Sequence, residues 1–296
     1  MNALPTATRH QVFSPARIAA IASNTLLELI RLKVFYFMLI FGLIVIGVSP
    51  FLAKLTFQEQ FQVLKDGALG AMTIFTWLLA VLSTAMLLPK DIEDRTLYTI
   101  LAKPVPRFEY LLGKLVGVLL LLFVAISLMT ALFVVVLKLK EVSAIWEVTR
   151  TASPGALQEQ IDSIRAHTFT LNLIPGIIFI YLEASLCASL TLLISTFASS
   201  SIFTIMISVV IFIIGHVQPI AREYLLASHG VSAATKIWLS LVSLLIPDLT
   251  ALSLVDDIAA GTAVSLILFS KIAALGSIYI AVYFLVGYFV FSTKEL

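Results

Sequence analysis

Long apolar runs without a charged residue are the feature that most constrains how this chain can fold. Val34 to Phe51, Ala68 to Leu88 and Leu115 to Leu137 contain no Asp, Glu, Lys or Arg. Each run is close to the roughly 20 residues that a helix needs to cross about 30 Å of hydrocarbon. Because backbone polar groups must pair internally in lipid, such runs are expected to be helical. The sequence therefore predicts an all-α integral membrane protein.

The second half of the chain is more apolar than one crossing requires. From Leu171 to about Ile214 only Glu183 interrupts the apolar run, so the chain must fold back, and the serine-rich stretch Ser195 to Ser201 is the predicted turn. The apolar run from Ile237 to Ile246 is too short to cross and, with Pro247, is interpreted as an interfacial or re-entrant piece. Six spans result, at about 34–53, 68–88, 115–137, 171–194, 202–219 and 272–292.

Composition supports this class and excludes others. The chain is 60% hydrophobic and 12% charged, whereas soluble domains are about 45–50% apolar and about 25% charged. A single six-span domain over 34–292 leaves little chain for a globular domain. The net charge of +2 gives no reason to expect nucleic acid as a partner. The four histidines are scattered and the one cysteine, Cys187, lies in an apolar run, so no metal site is predicted.

Residues 1–33 form a polar leader with one helical pattern. Ser14 and Pro15 are typical of an N-cap and a first helical turn. Apolar residues then recur at helical spacing: Ile18, Ile21, Ala22, Leu26 and Leu29. The pattern predicts an amphipathic interfacial helix lying along the membrane. An ordinary cytosolic helical leader is the alternative.

Charge distribution suggests the orientation. Six crossings place both termini on one side of the membrane. With the termini inside, the inner segments hold ten Lys and Arg residues and the outer segments nine, but the outer loops, 138–170 and 220–270, are longer. The higher density inside favours cytoplasmic termini. We expect a multi-pass protein of the cell (inner or plasma) membrane.

The most informative stretch is Pro89 to Lys114, which we call the elbow. It holds five basic and four acidic residues in 26 positions, between the second and third predicted spans. Asp91 to Ala102 is predicted to form a short amphipathic helix, which Pro104 and Pro106 would end. The alternative is a positive-inside anchor whose prolines only make the corner.

The order of residues in the elbow carries a family resemblance. Asp91 to Leu97, Leu101 to Arg107 and the pair Gly113-Lys114 closely resemble the signature loop of ABC-2 type transporter permeases. The likeness is strongest to the branch that includes permeases of multicopper-enzyme and nitrous oxide reductase maturation systems. Leu245 to Leu249 also resembles an element of these permeases, and the six-span architecture matches over nearly the whole chain.

The resemblance implies a function for the elbow. In the family this loop holds a coupling helix that rests on a separate ATP-hydrolysing subunit, which would place Asp91, Glu93, Arg95, Lys103 and Arg107 at or near that contact. ATP and Mg²⁺ are then expected on the partner, with no cofactor in this chain. The family also implies a second permease copy, identical or related, and export as the common direction.

The absence of catalytic motifs agrees with that division of labour. No G-x-x-x-x-G-K-[ST] phosphate loop occurs, because Gly113-Lys114 lacks the upstream glycine and precedes Leu115. Neither H-E-x-x-H nor G-x-S-x-G occurs, so the chain is not expected to be an enzyme. The alternative function is an ATP-independent transporter or channel, or a membrane scaffold.

Glu183 is the one acid well inside a predicted span. A charged group there costs on the order of 2.5–3.5 kcal/mol on insertion scales, so it should face protein or water. Two interpretations stay open: a substrate or dimer-interface contact, or a neutral hydrogen-bonded acid that fixes helix packing. Small residues at four-residue spacing predict close helix contact nearby: Ala184, Ser185, Ala188 and Ser189. The spacing of Gly113 and Gly117 likewise predicts a close-packing face at the start of the third span.

Overall fold

The computed structural model describes residues 13–54, 60–93, 105–151, 157–168, 173–198, 200–227, 232–252 and 265–293. Within these ranges the regular structure is helical. Six helices are long and apolar enough to cross a membrane: α2 (Lys33–Lys54), α3 (Gln60–Glu93), α4 (Arg107–Thr151), α6 (Leu173–Phe197), α7 (Ser201–Ala227) and α10 (Leu266–Thr293). Four are shorter: α1 (Pro15–Ile30), α5 (Leu157–Thr168), α8 (Ala233–Leu245) and α9 (Leu249–Leu252).

The long helices confirm the predicted all-α membrane fold. Each of the six predicted spans falls within one of them, apart from residues 171 and 172, which lie outside the described part of the chain. The predicted fold-back is also confirmed, because α6 ends at Phe197 and α7 begins at Ser201. Here the serines interrupt an apolar run that would otherwise be too long for one crossing.

Two helices extend beyond the spans predicted from hydropathy. α4 contains 45 residues, which at about 1.5 Å per residue is more than twice the hydrocarbon thickness. The predicted 138–170 loop therefore begins as a helical extension of α4, and α5 follows it. α3 continues to Glu93, so Asp91 lies in its last turn and does not begin a separate helix. The expectation of a helix over Asp91 to Ala102 is wrong at this end; residues 94–104 lie outside the described part.

The centre of the fold is α6, which contacts α3, α4, α7 and α10. Its contact with α10 is close: a Cβ on Gly276 would lie 2.7 Å from the Leu182 side chain, and one on Gly287 would lie 3.4 Å from the Leu193 Cα. Small residues permit this approach in a membrane, where helix association depends on packing. The four small residues predicted beside Glu183 are all buried, which confirms the predicted close contact.

A short non-helical segment, residues 246–248, joins α8 to α9 and is covered by protein. A Cβ on Gly215 of α7 would lie 2.8 Å from the Leu249 side chain and 3.4 Å from the Pro247 carbonyl oxygen. The Tyr283 hydroxyl of α10 donates a hydrogen bond to the Leu245 carbonyl at 2.8 Å. Non-helical backbone is tolerated at membrane depth where protein supplies such partners. With 13 residues, α8 is itself too short to cross, as its apolar pattern predicted.

Candidate functional site

The base of the elbow, residues 89–93 and 105–114, lies where α1 packs on the first turns of α4. A Cβ on Gly113 would lie 2.7 Å from the Ile21 side chain, and one on Gly117 would lie 2.6 Å from the Thr25 Cβ and 3.0 Å from the Ala22 carbonyl oxygen. Only glycine fits at these distances, so the two helix backbones approach closely. The predicted close-packing face of Gly113 and Gly117 is confirmed, and its partner is α1.

An ion pair between a buried glutamate and a partly exposed arginine fixes the N-terminal end of α1 to α4. Glu109 is 1% exposed, and its carboxylate accepts hydrogen bonds from Arg17 Nε at 2.6 Å and Arg17 Nη2 at 2.8 Å. It also accepts one from the backbone N–H of Ser14, the N-cap of α1, at 2.9 Å. The carboxylate raises the pKa of Arg17 above its usual value, chiefly through the side-chain hydrogen bonds. Such a bidentate pair sets orientation as well as distance.

A second charged network joins the other end of α1 to α3 and α4. Glu28 of α1 accepts from Lys90 of α3 at 2.7 Å and lies 3.7 Å from the Lys114 ammonium of α4. Lys114 pairs with Asp91 at 2.7 Å, and the Tyr110 hydroxyl donates a hydrogen bond to the same carboxylate. Asp91 and Lys114 are both buried. Lys114 therefore compensates the buried carboxylate, and a buried charge needs such a partner.

Arg107 connects the start of α4 to the end of α10. Its Nη1 donates to the Ser292 carbonyl at 2.6 Å and to the Phe291 carbonyl at 3.3 Å. The last carbonyls of a helix have no partner within it, and a cation there also matches the helix dipole. Beside this contact, the Phe108 ring packs edge-on against Phe284 and Tyr288.

The residues predicted for the ATPase contact divide into two groups. Asp91 and Arg107 form contacts within the chain, at the base of the elbow. Glu93 ends α3 but its side chain lies outside the described part, as do Arg95 and Lys103 in the elbow tip, residues 94–104. Whether any of the five contacts an ATPase stays a prediction.

Sequence reasoning missed the partners that hold the base together. Arg17 and Glu28 lie among the polar residues of the predicted amphipathic helix, yet both pair with residues of distant segments. Glu109 carried a usable signal, because it is an acid in the first turn of a helix that is otherwise apolar for most of its length. The partner of Glu109 could not be read from that signal.

Glu183 faces protein, as predicted. Its side chain is 2% exposed, in the most buried helix, and its Oε1 lies 3.6 Å from Nε2 of His216 in α7. In the sequence His216 is one of four scattered histidines, and nothing there indicates its contact with Glu183. In the described residues, no group of three or more His, Cys, Asp or Glu could hold a metal ion.

A family comparison matches this architecture. Residues 20–296 match the model of the ABC-2 family transporter protein, so the chain belongs to the ABC-2 transporter family. The match includes the elbow and all six long helices, and the particular branch of the family stays a prediction. No curated protein matches the chain. The chain is a multi-pass membrane permease of an ABC-type transporter, a family that implies an ATP-binding cassette partner.

Proposed function

We propose that this permease works as a dimer, exports its substrate, and receives the work of ATP hydrolysis through the elbow from a separate ATPase. Both termini and the elbow then face the cytoplasm of a cell whose inner or plasma membrane holds the complex. ATP and Mg²⁺ bind to the ATPase, and this chain has no catalytic role.

The observation that carries the proposal is the way in which the elbow base ties four helices together. Lys114 joins α4 to α3 through Asp91, Glu109 joins α4 to α1, and Arg107 joins α4 to the end of α10. The elbow tip connects α3 to α4, so a displacement of the tip would move both helices. Because α1 and α10 contact α4 at the elbow base, they would move with it. Packed helices with paired charges move as units, which is what alternating access requires.

Opposite displacements of two such units would open a dimer interface to one side of the membrane and then to the other. The six spans of one chain, with the apolar α6 at their centre, contain no continuous charged pathway within the described residues. A pathway between two copies explains this composition. Export is proposed because it is the common direction among the permeases that the elbow resembles.

The test is to isolate the complex from its native membrane and identify its soluble chains by mass spectrometry. We expect a chain with a phosphate loop to accompany the tagged permease, in a complex whose mass fits two permeases and two ATPases. The elbow-tip variants Arg95→Glu and Lys103→Glu should lose it. Arg150→Glu, an exposed charge at the opposite end of α4, is the matched control and should retain it.

Asp91 and Arg107 are poor probes of this contact, because their substitution would also disturb the elbow base. Recovery of the ATPase with all variants would show that the elbow tip is not the contact. Absence of any ATPase, under conditions that preserve a known complex of this family, would favour an ATP-independent role.

A further inference from the structure

The described part of the membrane domain contains a polar cluster that the elbow does not use. The Trp77 ring of α3 stacks on Phe212 of α7 with ring centroids 3.9 Å apart, and Phe212 contacts the His216 ring at 4.3 Å. His216 in turn lies against Glu183 of α6, with Nε2 3.6 Å from Oε1. The cluster thus joins three spans at one level.

The hydrogen bonds of His216 define where a proton is needed. Its Nδ1 lies 3.2 Å from the Phe212 carbonyl oxygen. A carbonyl only accepts, so Nδ1 must carry a proton, and in the neutral ring Nε2 is then an acceptor. Nε2 faces Glu183 Oε1, which has no hydrogen-bond partner among the described residues. Two acceptors that face each other repel unless one proton lies between them.

Because the pair is largely buried, its net charge, and therefore the number of protons it holds, affects the stability of the packed helices. With one proton, the pair is either a carboxylic acid beside a neutral imidazole or a carboxylate beside an imidazolium, and both forms have no net charge. Without it, an uncompensated carboxylate remains in a helix that is among the most buried of the fold. An isolated charge at membrane depth is costly, so the proton contributes directly to the packing of α7 on α6.

Few other titratable groups face the pair. Cys187 lies one turn further along α6 and is buried. On α10, the hydroxyls of Tyr279 and Tyr283 donate to carbonyls of residues 243 and 245. α3 and α4 carry their charged residues toward the helix ends, away from the level of Trp77. Segment 246–248 and α9 also pack on α7 beside Gly215, and their titratable group is Asp248, which accepts a hydrogen bond from the Thr250 hydroxyl at 2.7 Å. His216 is one third exposed and Glu183 is 2% exposed, so His216 is the more accessible of the two groups.

We propose that Glu183 and His216 together bind a single proton, and that loss of this proton loosens α7 from α6 and α3. The site uses none of the residues of the elbow base and would make the arrangement of the spans sensitive to pH. If the termini are cytoplasmic, His216 lies toward the external end of α7, so the external solution supplies the proton.

Trp77 provides the reporter, because it stacks on the helix that would move. The two other tryptophans, Trp146 and Trp238, are exposed and are replaced by phenylalanine. The protein is placed in lipid nanodiscs and Trp77 emission is followed from about pH 5 to 9, which includes the interval from about pH 5 to 8 in which histidine side chains in general change charge. We expect one single-proton transition, with a change of intensity and a shift of the emission maximum as Phe212 leaves the indole.

Two variants test the role of the proton. In Glu183→Gln the amide N–H donates to Nε2 without a titrating proton, so emission at about pH 9 should stay at the value of the parent protein at about pH 6. His216→Gln removes the imidazole that shares the proton, but Glu183 can still lose its proton and leave an uncompensated buried carboxylate. The alkaline change should therefore persist in this variant, with a midpoint displaced from that of the parent protein. Glu223→Gln, an exposed acid on α7, should leave the transition unchanged.

The outcomes decide the proposal. Loss of the alkaline change in Glu183→Gln, with a displaced midpoint in His216→Gln and the control unchanged, supports a shared proton. An unchanged midpoint in His216→Gln overturns the shared proton. An alkaline change that persists in Glu183→Gln assigns the transition to another group and overturns the proposal. Constant emission of the parent protein over the whole range overturns it as well.

Discussion

Gly117 offers the sharpest test of how α1 is held on α4. In Gly117→Ala the new methyl group would lie 2.6 Å from the Thr25 Cβ and 3.0 Å from the Ala22 carbonyl oxygen, whereas ordinary contact begins at 3.4 Å. α1 would have to retreat by about 0.8 Å. Overpacking of this kind costs about 1–3 kcal/mol. The retreat would also lengthen the ion pairs that Arg17 and Glu28 form with the elbow base.

Gly70→Ala is the matched control, because nothing lies within 4 Å of a Cβ at Gly70 of α3. Both substitutions bring the same gain in helix propensity, about 1 kcal/mol. The difference between the two free energies of unfolding therefore isolates the contact with α1. We expect Gly117→Ala to be less stable than Gly70→Ala by about 1–3 kcal/mol, measured by titration with sodium dodecyl sulfate in mixed micelles.

A second substitution separates packing from other effects of Gly117→Ala. Thr25→Gly removes the Cβ that the new methyl group would meet, although the Ala22 carbonyl stays. The double variant should therefore lose less stability than the two single variants together, by about 0.5–3 kcal/mol. Equal stability of the Gly117 and Gly70 variants would refute the close approach of α1 and α4.

Three further substitutions test contacts between helices. Glu109→Gln should release α1, because the amide is uncharged and has one acceptor oxygen, whereas the carboxylate accepts two hydrogen bonds from Arg17. Trypsin should cleave this variant after residue 17 faster than Glu159→Gln, an exposed control on α5; equal rates would contradict the contact. Arg107→Ala should lower the free energy of unfolding by about 1 kcal/mol, because the end of α10 loses a charged donor. Tyr283→Phe should cost about 0.6–1.7 kcal/mol in mixed micelles, while Tyr224→Phe, exposed on α7, should cost less than that.

Local patterns in the sequence predicted much of the fold and part of the candidate site. The charge-free runs predicted the spans, and the serines between Ser195 and Ser201 predicted the break between α6 and α7. Spacing also gave the close-packing face of Gly113 and Gly117, although not the helix that fills it. The pattern misled at Asp91, whose acidic surroundings suggested a helix start. There a distant lysine, Lys114, stabilises the carboxylate at a helix end.

The candidate site depended on contacts that no local pattern contains. Arg17 and Glu109 are 92 residues apart in the chain, and His216 pairs with Glu183 from another helix. In the sequence each of these residues is only a polar group in or beside an apolar run. Sequence spacing cannot match them, because the partners are set by the rotation and height of two helices relative to each other.

By itself the sequence determined that this chain is a helical membrane protein with six crossings. Hydrocarbon thickness and the need to pair backbone polar groups act on any run of about 20 apolar residues, whatever surrounds it. Only the tertiary structure decided which charged groups are paired, because that depends on side chains from α1, α3 and α4 meeting at the elbow base, and on side chains from α6 and α7 meeting within the spans. The elbow base and the Glu183–His216 pair are therefore properties of the packed helices, which their separate sequences do not contain.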